Sequence, residues 1–562
     1  MPSHKILKIA PTHHPLKNSI SKELGVSGNL AQILVNRGIK NISEAEKFLR
    51  ASLSDLHHPY LFSQMQEALR LVREQAQKKD NVLIFGDYDV DGVTSVTLLK
   101  ETLTKAGLKA HHYLPHRIKE GYGLNKNILQ LVKQHSASLL ITADCGINSH
   151  QEIDELRRHN IEVIVTDHHE PVVPGPSPAS CVINPKVAGC NYPYRDLAGV
   201  GVAFKFAQAL LSRKLFDDLD LVTLGTVADV VPLTGENRII VKEGLKKISS
   251  CRRIGLNALI ESSGIKDKKV TCGFISYILG PRLNASGRMD RADISLDLLL
   301  AKKKEKADEL AESIEKHNRE RQKIESGILR EAEDLINKEV NFKEHKVIVL
   351  AGDNWHQGVL GVVASKIADR FWRPTILISR AHKSCKGSGR SIRSFHLLEA
   401  LTECKDILDN FGGHSHAVGL VIDRDKIGDF RRRINDFAFK KLRLEDLLPS
   451  LEVDMELSLS DLNEGFVAEI ERLEPFGADN PQPLFFTRSL RLKSEPQVLG
   501  RDTLKFWVTD GSINHQCIAF RMGSARDSLK NAEKIDLVYS LKLDSWAGID
   551  SMLLEVKDIF FS

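Results

Sequence analysis

At 562 residues, with 42% apolar and 27% charged side chains and a net charge of +5, the chain is too long for one hydrophobic core and has the composition of an ordinary soluble globular protein. No apolar run approaches the roughly 18 residues needed to cross a bilayer, and residues 1–5 lack the apolar core of a secretion signal. The eight cysteines never fall in a Cys-x-x-Cys pair, which argues against a disulfide framework or a structural zinc and for a reducing, cytoplasmic setting.

In chain order, residues 1–75 are expected to form small helices at 29–35, 43–49 and 64–77. From about 80 to 230, short β-branched runs at 82–85, 139–142 and 163–166 alternate with helical patterns, the signature of a doubly wound parallel sheet. Residues 217–231 read as a helix carrying Asp229 near its end. Between 302 and 338 the chain is highly charged, and apolar positions recur at helical spacing (Ala307, Leu310, Ile314, then Ile324, Ile328, Ala332, Leu335). A helix of ~37 residues would be roughly 55 Å long, and it is read as a spacer joining two domains, with a coiled coil as the alternative. A second α/β unit opens at 347–351 and closes with Phe411-Gly412-Gly413-His414. Alternation then resumes at 451–457, 484–492, 504–509, 515–520, 535–541 and 552–560, which suggests a small barrel. The expected domains are a helical segment at 1–75, an α/β domain at 76–300, a long connecting helix at 301–340, a smaller α/β domain at 341–448 and a β-barrel at 449–562.

Net charge alone says little, but its distribution says more. From 366 to 393 there are eight basic residues (Lys366, Arg370, Arg373, Arg380, Lys383, Lys386, Arg390, Arg393) against one acid, Asp369. A local excess of +7 is either a solvated face or a polyanion-binding surface, since Lys and Arg contacts to phosphate release counterions.

The chemistry gathers where strands end. Asp87-Tyr88-Asp89-Val90-Asp91-Gly92 follows Val82-Leu83-Ile84-Phe85, Asp144-Cys145-Gly146 follows Leu139-Leu140-Ile141-Thr142, and Asp167-His168-His169 follows Val163-Ile164-Val165. In an open α/β sheet, ligands bind in the crevice outside the carboxyl ends of the strands. The acidic triplet is no calcium-binding EF-hand, because position twelve is Leu98 and a buried strand precedes it. Asp229 sits in an apolar context (Thr226-Val227-Ala228-Asp229-Val230-Val231), costly for a carboxylate unless it is paired or metal-bound. Five or six carboxylates with one or two imidazoles suffice for two divalent ions. Oxygen and nitrogen ligation without thiolate suits manganese, with magnesium as the alternative.

These motifs resemble the DHH phosphoesterase superfamily, named for the triplet at Asp167-His168-His169. The segment Gly412-Gly413-His414-Ser415-His416-Ala417 is similar to the glycine-rich signature of its associated DHHA1 substrate-binding domain. Gly280-Pro281-Arg282-Leu283-Asn284-Ala285, Asn318-Arg319-Glu320-Arg321-Gln322, Trp355-His356-Gln357-Gly358-Val359 and Glu474-Pro475-Phe476-Gly477 narrow the resemblance to the superfamily's bacterial single-strand-specific 5′→3′ DNA exonucleases. The resemblance implies a DHH domain, a DHHA1-like domain and an OB-like nucleic-acid-binding barrel. It implies that Asp87, Asp89, Asp91, Asp144, His168 and Asp229 hold two metals, with Asp144 as the bridge and Asp167 orienting His168 from behind. It gives His169 and Asp167 catalytic roles, and it makes Arg282, Asn284, Arg373, Ser388, Arg390, Gly413 and His414 the phosphate-binding set. In the barrel, Phe506 and Trp507 are candidates for base stacking, one of them being core because strand neighbours point to opposite faces. The implied partners are single-stranded DNA and a single-strand-binding protein, helicase or recombination factor, with roles in repair and recombination and no membrane. The alternative is a DHH phosphodiesterase for short oligonucleotides or cyclic dinucleotides.

Overall fold

The computed structural model describes residues 5–250, 252–500, 502–546 and 549–561, so residues 1–4 of the secretion-signal reading lie outside it. Among the described residues no helix is long and apolar enough to cross a membrane. The chain divides into two compact units. One comprises Met1–Leu56, Pro232–Lys242 and Ser450–Ser562, the other His57–Val231 and Glu243–Pro449.

The larger unit holds both α/β sheets. The first has five parallel strands in the spatial order Lys109–Tyr113, Asn81–Gly86, Ala137–Ala143, Glu162–Thr166, Cys181–Ile183. Its central strands are buried on both faces, which is why they read as continuous apolar runs rather than alternating ones. The strand order reverses between Asn81–Gly86 and Ala137–Ala143, and a ligand crevice opens at such a switch point. The helix Val90–Lys105 packs against Gly199–Leu211 and Leu219–Ala228.

The second sheet also has five strands, ordered Leu408–Gly413, Ala417–Asp423, Ser384–Arg390, Thr375–Ser379, Ile348–Gly352. Only the last pair is parallel. The unit therefore does not close at His414 as expected: the strand Ala417–Asp423 and the helix Ile427–Lys441 follow. A glycine-rich turn had looked like an end because strand Leu408–Gly413 folds straight back on its neighbour there.

The expected long helix is present as Lys304–Glu339, 36 residues. It is more than a spacer. Ala307, Leu310, Ala311, Ile314, Ile328, Ala332 and Ile336 are buried, and the helix packs against Gly280–Met289, Asp293–Leu300 and Gln357–Phe371. An apolar stripe sustained over its whole length has to be covered, and here both α/β sheets' helices cover it.

In the smaller unit five strands close a barrel. Phe485–Leu492, Ile535–Trp546, Ile549–Phe561, Asn514–Phe520 and Thr503–Thr509 pair in turn, and the last pairs back onto the first. Five strands with one parallel pair and a closed ring are the OB architecture. The N-terminal helices share its hydrophobic core through Ile20, Leu30, Ile33 and Leu34. The short strand Ile6–Ile9, not foreseen from sequence, pairs in parallel with Ser450–Val453.

Candidate metal and phosphate site

The three strand-end motifs are aligned by the sheet itself. The backbone N–H of Asp87 donates to the Ala143 carbonyl, that of Asp144 to Thr166 and that of Asp167 to Ile183, so each acid stands one step beyond the last pair of its ladder. Asp89 caps the helix Val90–Lys105, its Oδ1 accepting from the N–H groups of Asp91 (2.9 Å) and Gly92 (3.1 Å). Asp91 in turn spans the N-terminus of the helix Gly199–Leu211, accepting from Gly199 and Val200 at 2.7 Å each. Asp144 adopts a left-handed backbone (φ 61°) and lies against Gly199, where a Cβ would fall 2.5 Å from its Oδ1. Asp229 arrives from the C-cap of the helix Leu219–Ala228.

These elements deliver one cluster. His168 Nε2 lies 3.3 Å from Asp144, 3.5 Å from Asp229 and 3.9 Å from Asp91. Three overlapping groups each place their ligand atoms within 4.8 Å of one another: Asp87, Asp89, Asp144; Asp91, His168, Asp229; and Asp144, His168, His169. Asp144 belongs to two of them, and so does His168. His168 Nε2, Asp144 Oδ1 and Asp87 Oδ1 are buried without a hydrogen-bond partner.

Electrostatics sharpen the picture. Burial, then the charge of Asp89, pushes Asp87 well above the ordinary carboxylate range and lifts Asp91 to about 7. Burial, then Asp91 and Asp89, raises both Asp144 and Asp229. His168 is drawn down to about 3 by burial and by its neighbour His169, so it is a neutral imidazole with a lone pair to give. A buried set of mutually repelling carboxylates beside a neutral imidazole is a set waiting for cations, and its oxygen and nitrogen donors fit divalent manganese or magnesium.

Asp167 behaves differently from the others. Its Oδ2 accepts from the Ile147 N–H (3.0 Å), and its Oδ1 accepts from the N–H groups of His168 (2.7 Å) and His169 (3.0 Å) and faces His169 Nδ1 at 2.8 Å. It thus orients the ring of His169, not the His168 ring that the resemblance implied. Burial opposes a charge on His169, but the hydrogen bond and charge of Asp167 outweigh it and lift His169 to about 9. The hydroxyl of Tyr122, unremarked in the sequence, sits 3.0 Å from the same nitrogen and donates to the Asp144 carbonyl at 3.4 Å.

Facing the acids within the same unit is a cluster of guanidinium groups. Arg390 lies over the helix Gln357–Phe371, where Gly361 leaves room: a Cβ there would meet Arg390 Nη2 at 3.0 Å and Ser388 Oγ at 3.1 Å. Burial, then repulsion from Arg117 and Arg390, holds Arg288 well below the arginine range, while Asp89 draws it the other way. Arg117 stacks on the Tyr88 ring, 4.7 Å from its centroid. His414 is lowered by burial, then by Arg390, and also feels His416 and His169. Gly413 (φ 132°) has the Ala417 carbonyl where a Cβ would be, 2.2 Å away, so only glycine fits this turn. Asn284, one helical turn before Arg288, has a buried Oδ1 without a partner.

Two expected phosphate ligands are not brought to this cluster as free groups. Arg282 is paired with Glu315 at 2.8 Å and donates to the Ile278 carbonyl. Arg373 donates Nη1 to the carbonyls of Trp372 (3.0 Å) and Leu447 (2.7 Å). The basic stretch is compensated in part within the fold, since Lys366 pairs with Glu325, Arg370 with Glu333 and Arg380 with Asp353. Arg117 and Arg288 were missed because neither lies in that stretch nor at a strand end. The signal available was Arg288 one helical turn after Asn284.

In the barrel Phe506 is core, 1% exposed, while Trp507 is 40% exposed.

Comparison with known proteins gives three family matches in chain order: the DHH family N-terminal domain over residues 81–226, the DHHA1 domain over 344–440 and the RecJ OB domain over 453–558. The chain is 36% identical over 543 residues to the single-stranded-DNA-specific exonuclease RecJ of Bacillus subtilis, covering 96% of this chain and 69% of that protein. The crystal structure of Thermus thermophilus RecJ in complex with Mn2+ superposes with a TM-score of 0.85 at 28% identity, covering 99% of this chain and 80% of that one. The same protein in complex with Mg2+ gives 0.78 at 26% identity, covering 99% and 78%.

Proposed function

The chain belongs to the RecJ family and is a single-stranded-DNA-specific exonuclease of the DHH type; we propose that it releases mononucleotides from the 5′ end. In this reading Asp87, Asp89, Asp91, Asp144, His168 and Asp229 hold two divalent ions, manganese in first place and magnesium as substitute. The observation that carries it is the set of buried atoms without partners, His168 Nε2, Asp144 Oδ1 and Asp87 Oδ1, among carboxylates that burial and mutual repulsion have raised. Buried charge of one sign is too costly to keep without a counter-charge. When bound, divalent ions supply Lewis acidity toward the phosphodiester and acidify the attacking water.

The chain's own groups do the rest. Asp167 holds His169 by Nδ1 and keeps it protonated, so that Nε2–H is left to donate to a phosphate oxygen or to the departing 3′-oxygen. Arg390, Arg288 and Arg117, with Ser388, His414 and the backbone at Gly413, grip the strand's phosphates. Arg288 is suited to this because its buried charge lies in the field of three other arginines, Arg117, Arg390 and Arg321, which an anion relieves. The exposed Trp507 offers a stacking platform for a base. A reducing cytoplasm suits the described cysteines, all free thiols. Protein partners that load the strand would be a single-strand-binding protein, a helicase or a recombination factor.

The test is digestion of one oligonucleotide labelled at either end, with Mn2+ or with EDTA. The expected result is immediate release of labelled mononucleotide from the 5′ label, in Mn2+ only. Release first from the 3′ label, or digestion in EDTA, would overturn the assignment.

A further inference from the structure

Arg117 and Tyr122 share one loop, between the strand Lys109–Tyr113 and the helix Ile128–Gln134, and they reach different parts of the site. Arg117 lies on the Tyr88 ring, and its charge acts on Asp87 and Arg288, so this end of the loop belongs to the phosphate grip. Tyr122 reaches the acidic centre. Its hydroxyl lies 3.0 Å from His169 Nδ1 and donates to the Asp144 carbonyl at 3.4 Å, and its ring stands 5.3 Å from the His169 ring, centroid to centroid. Those contacts use the oxygen alone. The ring that carries it is 48% exposed, an open aromatic surface beside the catalytic groups.

The loop is built to hold that ring. On one side of it the Glu120 carboxylate accepts from the Tyr113 hydroxyl (2.8 Å), the His116 N–H (2.7 Å) and Asn125 (3.1 Å). On the other side Leu124 is buried in the core of the first sheet's domain. Between these anchors Gly121 (φ 85°) and Gly123 (φ 83°) take the left-handed backbone that a larger residue resists, so the chain swings out to Tyr122 and straight back. The ring is thus fixed at its backbone by the anchors and at its hydroxyl by His169 and Asp144. Held at both ends, it excludes volume instead of yielding to what enters.

We propose that the Tyr122 ring is the sugar gate of this site: it fills the space that a 2′-hydroxyl would need on the nucleotide being released, so that deoxyribose is accepted and ribose refused. That nucleotide lies between its own 5′-phosphate, at the arginines, and the phosphodiester at the acidic centre, and the loop that carries Arg117 and Tyr122 joins the same two places. Its sugar therefore lies along the loop. The 2′ and 3′ oxygens of a sugar are carried by adjacent carbons. His169 serves the departing 3′-oxygen, so a 2′-hydroxyl falls beside His169, where the Tyr122 ring stands. The 2′-hydroxyl is what distinguishes RNA from DNA at a given site, and a built-in clash is a direct way to refuse it. The inference rests on the 5′ exonuclease reading above and deepens it by naming the residue that selects the sugar.

The experiment uses the full-length protein in Mn2+ on a 5′-phosphorylated DNA strand with one internal ribonucleotide, on the same strand with 2′-fluoro in place of that hydroxyl, and on the strand in DNA alone. The fragments that remain are sized by mass spectrometry. The wild type is expected to slow by about 100-fold once the ribonucleotide becomes the 5′-terminal residue, the discrimination that a close-fitting site reaches against an added hydroxyl, and to pass the small 2′-fluoro group without a pause. Tyr122→Phe keeps the ring and should pause as the wild type does. Tyr122→Ala and Tyr122→Ser should shorten the pause by about tenfold or more, each relative to its own rate on the all-DNA strand. No pause in the wild type, an unchanged pause in both small variants, or loss of the pause in Tyr122→Phe would each overturn the proposal. So would failure of both small variants on the all-DNA strand, since Tyr122 would then be needed for cleavage itself. A pause that leaves the ribonucleotide at the 3′ end of the fragment, or a wild type that degrades no strand, would instead sink the reading on which the proposal rests. Tyr122 is half exposed and outside the core clusters, so its replacement leaves the fold in place.

Discussion

Replacing Asp89 by asparagine should stabilise the metal-free protein while abolishing its activity. Asparagine keeps the side-chain oxygen that caps the helix Val90–Lys105, so the two hydrogen bonds from Asp91 and Gly92 survive. What disappears is a negative charge that presses on Asp87, Asp91, Asp144 and Asp229 together. The size of that pressure can be judged from Asp91. Being lifted from 3.8 to about 7 sets about 4 kcal/mol against its ionised form, with burial the larger cause and Asp89 the second. If Asp89 accounts for a third of that, and the other three carboxylates are partly relieved as well, the gain is about 1–3 kcal/mol.

The pH dependence fixes the sign. A carboxyl whose folded pKa is raised binds its proton more tightly in the native state, so the cost is absent below about 4, grows through the window up to about 7 and is complete above it. The variant's advantage in EDTA should follow that curve and vanish below about pH 4. Thermal unfolding in EDTA at pH 8 reads it directly. At no more than ~2 °C per kcal/mol for a unit larger than 250 residues, the transition of the α/β unit should rise by about 1–5 °C. In Mn2+ the order reverses, because the wild type gains by ligand linkage, ~2.7 kcal/mol at a hundredfold excess over Kd, and the variant does not. A lower transition for the variant in EDTA would refute the repulsion argument. A wild-type Mn2+ shift in the variant would remove Asp89 from the metal ligands.

Three further substitutions separate roles that the sequence ran together. Asp167→Asn should leave Mn2+ binding intact but let His169 fall from about 9 toward its ordinary 6.5, moving the alkaline limit of activity down by about two pH units. Because a raised histidine pKa stabilises below 6.5 and is lost as pH passes 9, the variant's stability deficit should be greatest in acid. Loss of Mn2+ binding would instead make Asp167 a ligand. In the barrel, Phe506→Ala should cost about 3–5 kcal/mol of stability, as a fully buried aromatic does. Trp507→Ala should leave stability within about 0.5 kcal/mol and weaken binding of single-stranded DNA by ~1–3 kcal/mol, measured by fluorescence anisotropy. The reverse pattern would exchange their assignments.

The carboxylates were legible because a parallel sheet converts sequence into position. A strand end is visible as an apolar run that stops, and successive strands put their ends in one row, so Asp87, Asp144 and Asp167 announced their neighbourhood without any structure. Asp229 was legible for the opposite reason, as a charge where none should be. The ring that Asp167 holds was not, since both imidazoles follow it directly and only the turn decides which Nδ1 meets its carboxylate. Nor was the partnership of residues 1–56 with the barrel, which depends on contacts such as Ile6 with Ser450, more than 400 residues apart.

The arginines show the limit of reading charge along a chain. The dense run from 366 to 393 looked like the polyanion surface, yet Lys366, Arg370 and Arg380 are paired with acids of the fold and Arg373 with backbone carbonyls. A cation already paired has little left for phosphate. The cations left for an anion are those that no acid of the fold compensates, and Arg288, which donates to the Gly358 carbonyl at 3.1 Å, lies in the field of Arg117 and Arg390, from segments more than 100 residues away on either side. Local density of charge predicts where a chain is solvated, whereas uncompensated convergence predicts where it binds an anion. Convergence is a property of the fold alone, which is why Ser388, Arg390, Gly413 and His414 could be named from motifs while Arg117 and Arg288 emerged only with the structure.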